Sequence, residues 1–184
     1  GTGYVGLVTG VCLAEHGHSV TCVDVDEAKV EQMRAGHCPI YESGLEELML
    51  KNKDRLTYTT DYRSAYEDAD VIFIGVGTPE KSDGSANLQY IYQVAGQIAD
   101  SVAKDCVVVV KSTVPIGTND KVESWMNRHK AKDVTISVAS NPEFLAQGTA
   151  VHDTLHASRI VIGAETEHAR QVLQEVYKDF DAPI

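Results

Sequence analysis

Hydrophobic residues in this chain form short continuous runs, and longer amphipathic stretches separate them. Strand-like runs cover His18–Asp24, Arg55–Thr59, Asp70–Val76, Cys106–Val110, Val134–Val138 and Arg159–Ile162. Continuous apolar runs of this length are typical of parallel strands that are buried on both faces. Strands that alternate with helical patterns predict an α/β fold with a mostly parallel sheet and helices on both faces.

The intervening stretches predict helices, because their apolar residues recur at helical spacing. Helices are expected over Leu7–Leu13, Asp26–Met33, Leu45–Leu50, Asp61–Glu67, Asn87–Ala103, from Thr118 or Asn119 to His129, and over about Glu165–Phe180. Asp26 is the expected N-cap of the second helix, and Gly36 is its expected stop. No internal repeat interrupts this order, so residues 1–184 are expected to form one domain.

The chain opens on a glycine-rich turn, Gly1-Thr2-Gly3-Tyr4-Val5-Gly6, that leads directly into the first helix. The spacing G-x-G-x-x-G at a helix start is typical of a pyrophosphate-binding turn, because the helix N-terminus presents free N–H groups to the phosphates. The next strand ends in Asp24, 18 residues after Gly6. An acid at this place accepts hydrogen bonds from the adenosine ribose. The two features together predict a Rossmann-like, doubly wound dinucleotide-binding domain.

The acid also predicts which cofactor is bound. A carboxylate at the ribose repels a 2′-phosphate, so Asp24 favours NAD over NADP. Lys29 is near enough to contribute to this site, although a solvated helix lysine is the simpler interpretation. In such folds a buried strand precedes the glycine turn. The sequence begins after the place of that strand, so we expect the strand to belong to a longer polypeptide and its two neighbours to have unpaired edges here.

Composition narrows the classes of partner. The formal net charge of −11 argues against nucleic acid and against anionic membranes, which need basic surfaces. Backbone N–H groups still allow a nucleotide to bind. Without a signal peptide or a long apolar run, the chain is predicted to be cytoplasmic.

Cysteine and histidine placement predicts no metal site. Cys12, Cys22 and Cys106 fall in apolar segments and are expected to be buried, whereas Cys38 lies in a loop and is the one candidate exposed thiol. No pair has metal-ligand spacing. The remaining candidates are surface histidines: His37, His152 and His156.

Further polar candidates follow the ends of buried strands, where ligands bind in this architecture. Gly77-Thr78-Pro79 follows one strand, and the polar loop Glu80–Ala86 after it is a candidate mobile flap. Ser112 and Thr113 follow the next strand, and Glu143 comes shortly after a third.

Five motifs occur together and in order, and they carry a family resemblance. They are Gly1–Gly6, Pro39-Ile40-Tyr41-Glu42, Gly77-Thr78-Pro79, Lys111-Ser112-Thr113-Val114-Pro115 and Asn141-Pro142-Glu143-Phe144-Leu145. In these the chain resembles the nucleotide-sugar 6-dehydrogenases of the UDP-glucose/GDP-mannose dehydrogenase family over essentially its whole length. Members oxidise the sugar C6 alcohol to a carboxylate with two NAD molecules. UDP-glucose is the favoured substrate, with UDP-N-acetylmannosamine or GDP-mannose as alternatives, and a non-catalytic dinucleotide-binding module is a third possibility.

The resemblance also implies what this chain lacks. Family members have two α/β domains joined by a long helix, and the second domain carries the catalytic cysteine, which forms a thioester. None of the four cysteines here matches that motif, so the chain resembles the NAD-binding half of such an enzyme. Alone it is expected to bind NAD without turnover. The parent is expected to be a homodimer or larger.

Residue roles follow from the resemblance, position by position. It implies cofactor contacts from Gly1, Gly3, Tyr4, Val5, Gly6, Asp24, Lys29, Gly77, Thr78, Pro79, Ser112, Thr113 and Gln147. It implies catalytic roles for Thr113, which would position water, and for Glu143, which would act as an acid–base group. It implies contacts with the UDP-sugar from Glu143, Phe144, Leu145 and Gln147.

The chain departs from the family pattern at two positions, and simpler alternatives exist at three others. Gln147 replaces a glutamate of many relatives and cannot take a proton at neutral pH, so only a binding role is expected there. Ser43 replaces a common proline. Glu143 is alternatively a cap of the turn after its strand, and Thr113 a satisfied strand-end hydroxyl. Arg159 could reach a phosphate, but a structural ion pair is the favoured expectation.

Overall fold

The computed structural model describes all 184 residues, and it confirms the α/β class with parallel strands and interleaved helices. The helices are α1 (Tyr4–Glu15), α2 (Glu27–Arg34), α3 (Leu45–Lys51), α4 (Tyr62–Glu67), α5 (Gln89–Ser101), α6 (Thr118–His129), α7 (Ala150–Leu155) and α8 (Glu167–Tyr177). The strands are β1 (Val20–Val23), β2 (Leu56–Thr59), β3 (Val71–Ile74), β4 (Cys106–Val110) and β5 (Ile136–Ser140). A short 3-10 turn, Lys53–Arg55, precedes β2.

The chain divides into two compact units. Unit 1 comprises Gly1–Asp61, Glu143–Ile160 and Gln174–Ile184, and unit 2 comprises Tyr62–Pro142 and Val161–Leu173. In unit 1, β1 pairs with β2 in parallel. In unit 2, β4 lies between β3 and β5, and all three strands are parallel. The strands form two sheets instead of the single sheet predicted, and β1 and β3 each have one strand neighbour.

The core of unit 1 is built around α1, whose residues from Leu7 to Ala14 are all buried. Helix α1 packs closely on β1 at Gly10, where an added Cβ would lie 3.0 Å from Cys22 Sγ. Nothing in the sequence around Gly10 indicates this close approach. Helix α2 adds Val30 and Met33, which are fully or almost fully buried, as their spacing predicts.

The core of unit 2 is centred on β4, whose five residues are all buried. The outer edge of β5 is satisfied by side chains of α6. Asn127 exchanges two hydrogen bonds with the backbone of Ile136, and Glu123 accepts one from Val138 N. Because its outer N–H groups have these partners, β5 is a protected edge.

The predicted strand Arg159–Ile162 is wrong. Its backbone groups bond outside any strand ladder: Ile160 N donates to Pro183 O, and the Asn141 amide donates to Val161 O. Only an isolated bridge between Ser140 and Gly163 joins this region to β5.

Two predicted caps have different outcomes. Asp26 is the N-cap of α2, and its side chain accepts from Lys29 N at 3.2 Å, which confirms the prediction. The N-cap of α6 is Gly117 instead of Thr118 or Asn119. Gly117 has a φ of 85°, in the left-handed region that favours glycine, and Thr118 already belongs to the helix.

Candidate functional site

The glycine turn of unit 1 has the properties of an anion site. Helix α1 begins at Tyr4, its N-cap is Gly3, and no side chain caps it. Helix geometry leaves the N–H groups of the first turn without intrahelical acceptors. A Cβ added at Gly3 would meet no atom within 4 Å, so the backbone there is open to a close approach. This arrangement fits a pyrophosphate, whose charge the helix N-terminus would stabilise.

Asp24 follows β1 and is held by three hydrogen bonds. Oδ2 accepts from Thr2 N at 2.8 Å and from Thr2 Oγ1 at 2.6 Å, and Oδ1 accepts from Asp26 N at 3.0 Å. Burial acts to raise the pKa of Asp24, but these hydrogen bonds and Lys29 outweigh it and hold the pKa below its usual value. Asp24 is therefore a carboxylate at neutral pH, as a ribose acceptor must be.

Lys29 lies beside this carboxylate. Its Nζ is 3.9 Å from Asp24 Oδ2, and 30% of its side chain is exposed. The contact is an ion pair and not a hydrogen bond. Lys29 therefore contributes to the electrostatic environment of Asp24 and is more than a solvated helix lysine.

In unit 2 the loops after β3 and β4 are tied together by two hydroxyl groups. Thr78 Oγ1 donates to Thr113 O at 2.8 Å, and Ser112 Oγ donates to Val76 O at 2.6 Å. Each hydroxyl has one proton, so both donors are committed to the protein, and only their lone pairs remain for a ligand.

Thr113 differs from these two. Its residue is exposed, and its hydroxyl makes no hydrogen bond within the protein. The alternative of a satisfied strand-end hydroxyl therefore has no support. Thr113 keeps both a donor and acceptor capacity.

Gly77 and Pro79 are exposed, and Pro79 leads into the loop Glu80–Ala86, the candidate mobile flap. This segment is a hydrogen-bonded hairpin turn. Lys81 N donates to Ser85 O at 2.8 Å, and Asn87 N donates to Pro79 O at 2.8 Å. The loop thus has a defined backbone structure.

The Glu143–Gly148 segment belongs to unit 1. Glu143 Oε2 accepts from Leu145 N at 2.7 Å, which is the bond that the capping alternative predicts. Its other carboxylate oxygen has no protein donor. Phe144 and Gln147 are exposed.

Arg159 packs on the aromatic ring in this segment. Its guanidinium lies 4.9 Å from the centre of the Phe144 ring, and it makes no ion pair. The predicted ion pair is therefore wrong. The cation–π contact restrains Phe144, which is 57% exposed, on the surface of unit 1.

Glu42 holds the far end of the same segment. It is only 8% exposed, and it accepts hydrogen bonds from Gly148 N at 3.1 Å and from Ala150 N at 2.8 Å. The sequence marked Glu42 only as part of a family motif. Nothing else in the sequence of this loop, which also contains Pro39, indicates that Glu42 is buried.

Tyr4 contributes more than its backbone to unit 1. Its ring packs against the core, and its buried hydroxyl has no hydrogen-bond partner. Burial, together with the nearby carboxylates of Glu42, Glu143 and Asp153, raises the pKa of Tyr4. The phenol is therefore neutral at physiological pH.

Three further residues were missed from the sequence. Thr2 is fully buried and orients Asp24, although it is a variable position of the glycine motif. Lys111 and Asn141 follow β4 and β5, and their buried side chains meet with Nζ 2.9 Å from Oδ1. Their positions in two motifs were visible, but only the parallel register of β4 and β5 brings them together.

The other predicted features have simple outcomes. Cys12, Cys22 and Cys106 are buried, as predicted, and Cys38 is partly buried. The three candidate histidines are exposed, as predicted. No three His, Cys, Asp or Glu side chains are arranged to hold a metal ion, and none of the helices has the length and apolar character needed to cross a membrane.

Comparison with known proteins gives the class. The family of UDP-glucose/GDP-mannose dehydrogenases, NAD binding domain, matches residues 1–181. The chain belongs to this family and corresponds to its NAD-binding domain.

Individual relatives are consistent with that assignment. The chain is 55% identical to the UDP-glucose 6-dehydrogenase YwqF of Bacillus subtilis, over all of this chain and 42% of that protein. A UDP-glucose dehydrogenase structure from Pyrobaculum islandicum has a TM-score of 0.95 and 43% identity, over 100% of this chain and 44% of that one. A GDP-mannose dehydrogenase structure from Pseudomonas aeruginosa has a TM-score of 0.93 and 39% identity, with the same coverage. The chain thus spans about two fifths of the length of these curated relatives.

Proposed function

We propose that this chain is the cofactor-binding part of a UDP-glucose 6-dehydrogenase, which oxidises UDP-glucose to UDP-glucuronate. The observation that carries the proposal is the 55% identity to a UDP-glucose 6-dehydrogenase across the whole chain. The five ordered motifs support it independently of that identity. A cytoplasmic location and a homodimeric or larger parent remain predictions.

The glycine turn and Asp24 would hold NAD. The uncapped N-terminus of α1 supplies N–H groups for the pyrophosphate, and the open backbone at Gly3 allows it to approach. The Asp24 carboxylate, already ionised, would accept a hydrogen bond from the ribose. When bound, NAD supplies the acceptor for the hydride that leaves the sugar C6.

Thr113 and Glu143 would carry the polar chemistry of this part. Among the strand-end hydroxyls of unit 2, Thr113 keeps its proton uncommitted, so it can donate to a water or to an oxygen of the substrate. Glu143 has one carboxylate oxygen without a donor, so it can accept a proton there while the other oxygen fixes its orientation. Both roles rest on family resemblance as well as on these bonds.

Sugar-nucleotide contacts are proposed for Glu143, Phe144, Leu145 and Gln147. The exposed ring of Phe144 and the exposed amide of Gln147 leave these side chains available for a ligand. Gln147 can donate and accept hydrogen bonds but cannot exchange a proton, so its role is binding, to cofactor or to substrate.

Two alternatives are distinguished by turnover. GDP-mannose is favoured as a second candidate substrate by the 39% identity to a GDP-mannose dehydrogenase. The test is NADH formation by the full-length protein with UDP-glucose, UDP-N-acetylmannosamine or GDP-mannose. UDP-glucose is expected to be turned over fastest. A faster rate with another sugar nucleotide would make that compound the substrate in place of UDP-glucose. Absence of turnover with all three sugar nucleotides would favour a non-catalytic dinucleotide-binding module.

A further inference from the structure

Thr2 occupies the variable position between the first two glycines of the turn, and it is completely buried. Both of its polar donors point at the same atom. Thr2 N and Thr2 Oγ1 lie 2.8 and 2.6 Å from Asp24 Oδ2. A buried hydroxyl that donates to a carboxylate makes a strong, charge-assisted hydrogen bond.

These bonds fix the orientation of the carboxylate. Oδ2 is held by Thr2, and Oδ1 is held by Asp26 N at 3.0 Å. A carboxylate has about four lone-pair sites, and three are filled here, so little freedom to rotate remains. Only 11% of the Asp24 side chain is exposed, which restricts it further.

Lys29 is the competing partner. Its Nζ lies 3.9 Å from Asp24 Oδ2, beyond hydrogen-bond distance. Thr2 therefore holds the oxygen that would otherwise turn toward the ammonium group. A carboxylate in direct contact with Lys29, closer than the present ion pair at 3.9 Å, would repel a nearby phosphate less, because more of its charge would be neutralised.

We propose that Thr2 is a specificity-determining positioning residue, which locks the Asp24 carboxylate in the orientation that accepts the ribose 2′-hydroxyl and repels a 2′-phosphate. The preference for NAD over NADP then depends on Thr2 as well as on Asp24. This inference rests on the proposed assignment of Asp24 to the ribose.

The test is calorimetric titration of the chain with NAD and with NADP. Preference is expressed as the dissociation constant for NADP divided by that for NAD. In Thr2→Val, which removes the hydroxyl but keeps the shape and the backbone N–H, this ratio is expected to fall about tenfold. That is the size expected for the loss of one hydrogen bond to a charged group. Thr2→Ser, which keeps the hydroxyl, is expected to retain most of the preference.

Two controls separate this inference from the assignment beneath it. Thr9→Val makes the same exchange at a buried threonine within α1 and is expected to leave the ratio unchanged. Asp24→Asn removes the charge and is expected to abolish most of the preference. If Asp24→Asn leaves the ratio unchanged, the ribose assignment fails, and the inference fails with it.

If Asp24→Asn lowers the ratio and Thr2→Val does not, only the role of Thr2 is overturned. An equal fall in Thr9→Val would also overturn it, because the effect would then be general to core substitutions. Thr2→Ala provides the same comparison should Thr2→Val not fold, as circular dichroism would reveal.

Discussion

Glu42 is expected to be one of the most sensitive positions for stability in unit 1. Its buried carboxylate accepts from two backbone N–H groups, of Gly148 and Ala150. In Glu42→Ala the N–H of Ala150, a fully buried residue, loses its partner at a cost of about 1–3 kcal/mol. Gly148 is exposed, so water can replace its partner, and the loss there is about 1 kcal/mol. The sum predicts a destabilisation of about 2–4 kcal/mol.

Urea unfolding followed by circular dichroism measures this change. With a slope of about 2 kcal/mol per M, the midpoint should fall by about 1–2 M. Glu42→Gln keeps one carbonyl oxygen for Ala150 N, so a smaller loss of about 1 kcal/mol is expected. The exposed Glu47 of α3 is the control, and Glu47→Ala should change stability by less than about 0.5 kcal/mol. A loss below about 1 kcal/mol in Glu42→Ala would refute the reasoning.

Three further predictions address the site and the packing beneath it. In the full-length protein, Thr78→Val should lower kcat several-fold, because the Thr78 hydroxyl holds the backbone of Thr113. The dissociation constant for NAD should stay unchanged, because the hydroxyl proton is bonded to the Thr113 carbonyl and a cofactor contact from Thr78 would not depend on it. Thr78→Ser should behave as wild type, and weaker NAD binding at unchanged kcat would contradict this. The pKa of Asp24 is lowered in the folded state, so its stabilising contribution is present at neutral pH and is lost as pH falls through that pKa. Below about pH 4 the wild type should therefore lose stability more steeply than Asp24→Asn. Parallel pH profiles of the two proteins would be inconsistent with the hydrogen bonds to Asp24. Gly10→Ala places a Cβ 3.0 Å from Cys22 Sγ, and the overpacking cost of about 1–3 kcal/mol should outweigh the roughly 1 kcal/mol that alanine gains over glycine in a helix. A lower thermal stability is expected, and a net stabilisation of about 1 kcal/mol would rule out the close packing of α1 on β1.

Elements with a strong local sequence pattern could be predicted from the sequence. The apolar run Cys106–Val110 is β4 residue for residue, and the Asp26 cap follows from its own side chain and position. The strand Arg159–Ile162 could not be excluded in this way, because a short apolar run does not reveal that its N–H and C=O groups bond to Pro183 and Asn141.

The candidate site shows the same division. Gly3 and Asp24 were predictable, because the glycine spacing and a strand-end acid are local signals. Thr2 and Glu42 were not, because each acts through a partner far away in the sequence: 22 residues for Thr2 and more than 100 for Glu42. Polar residues that position other groups carry no pattern of their own, so the fold is needed to find them.

We expect the glycine turn and the N-terminus of α1 to hold the pyrophosphate of NAD. Gly3→Ala isolates this contact, because the added Cβ meets no protein atom within 4 Å and the φ of −73° suits alanine. Calorimetric titration with NAD should show saturable binding by the wild type and a loss of at least about 100-fold in the variant, with an unchanged thermal unfolding curve. Equal affinity of the two proteins for NAD would contradict the account, because the open backbone at Gly3 would then not be where the phosphates bind.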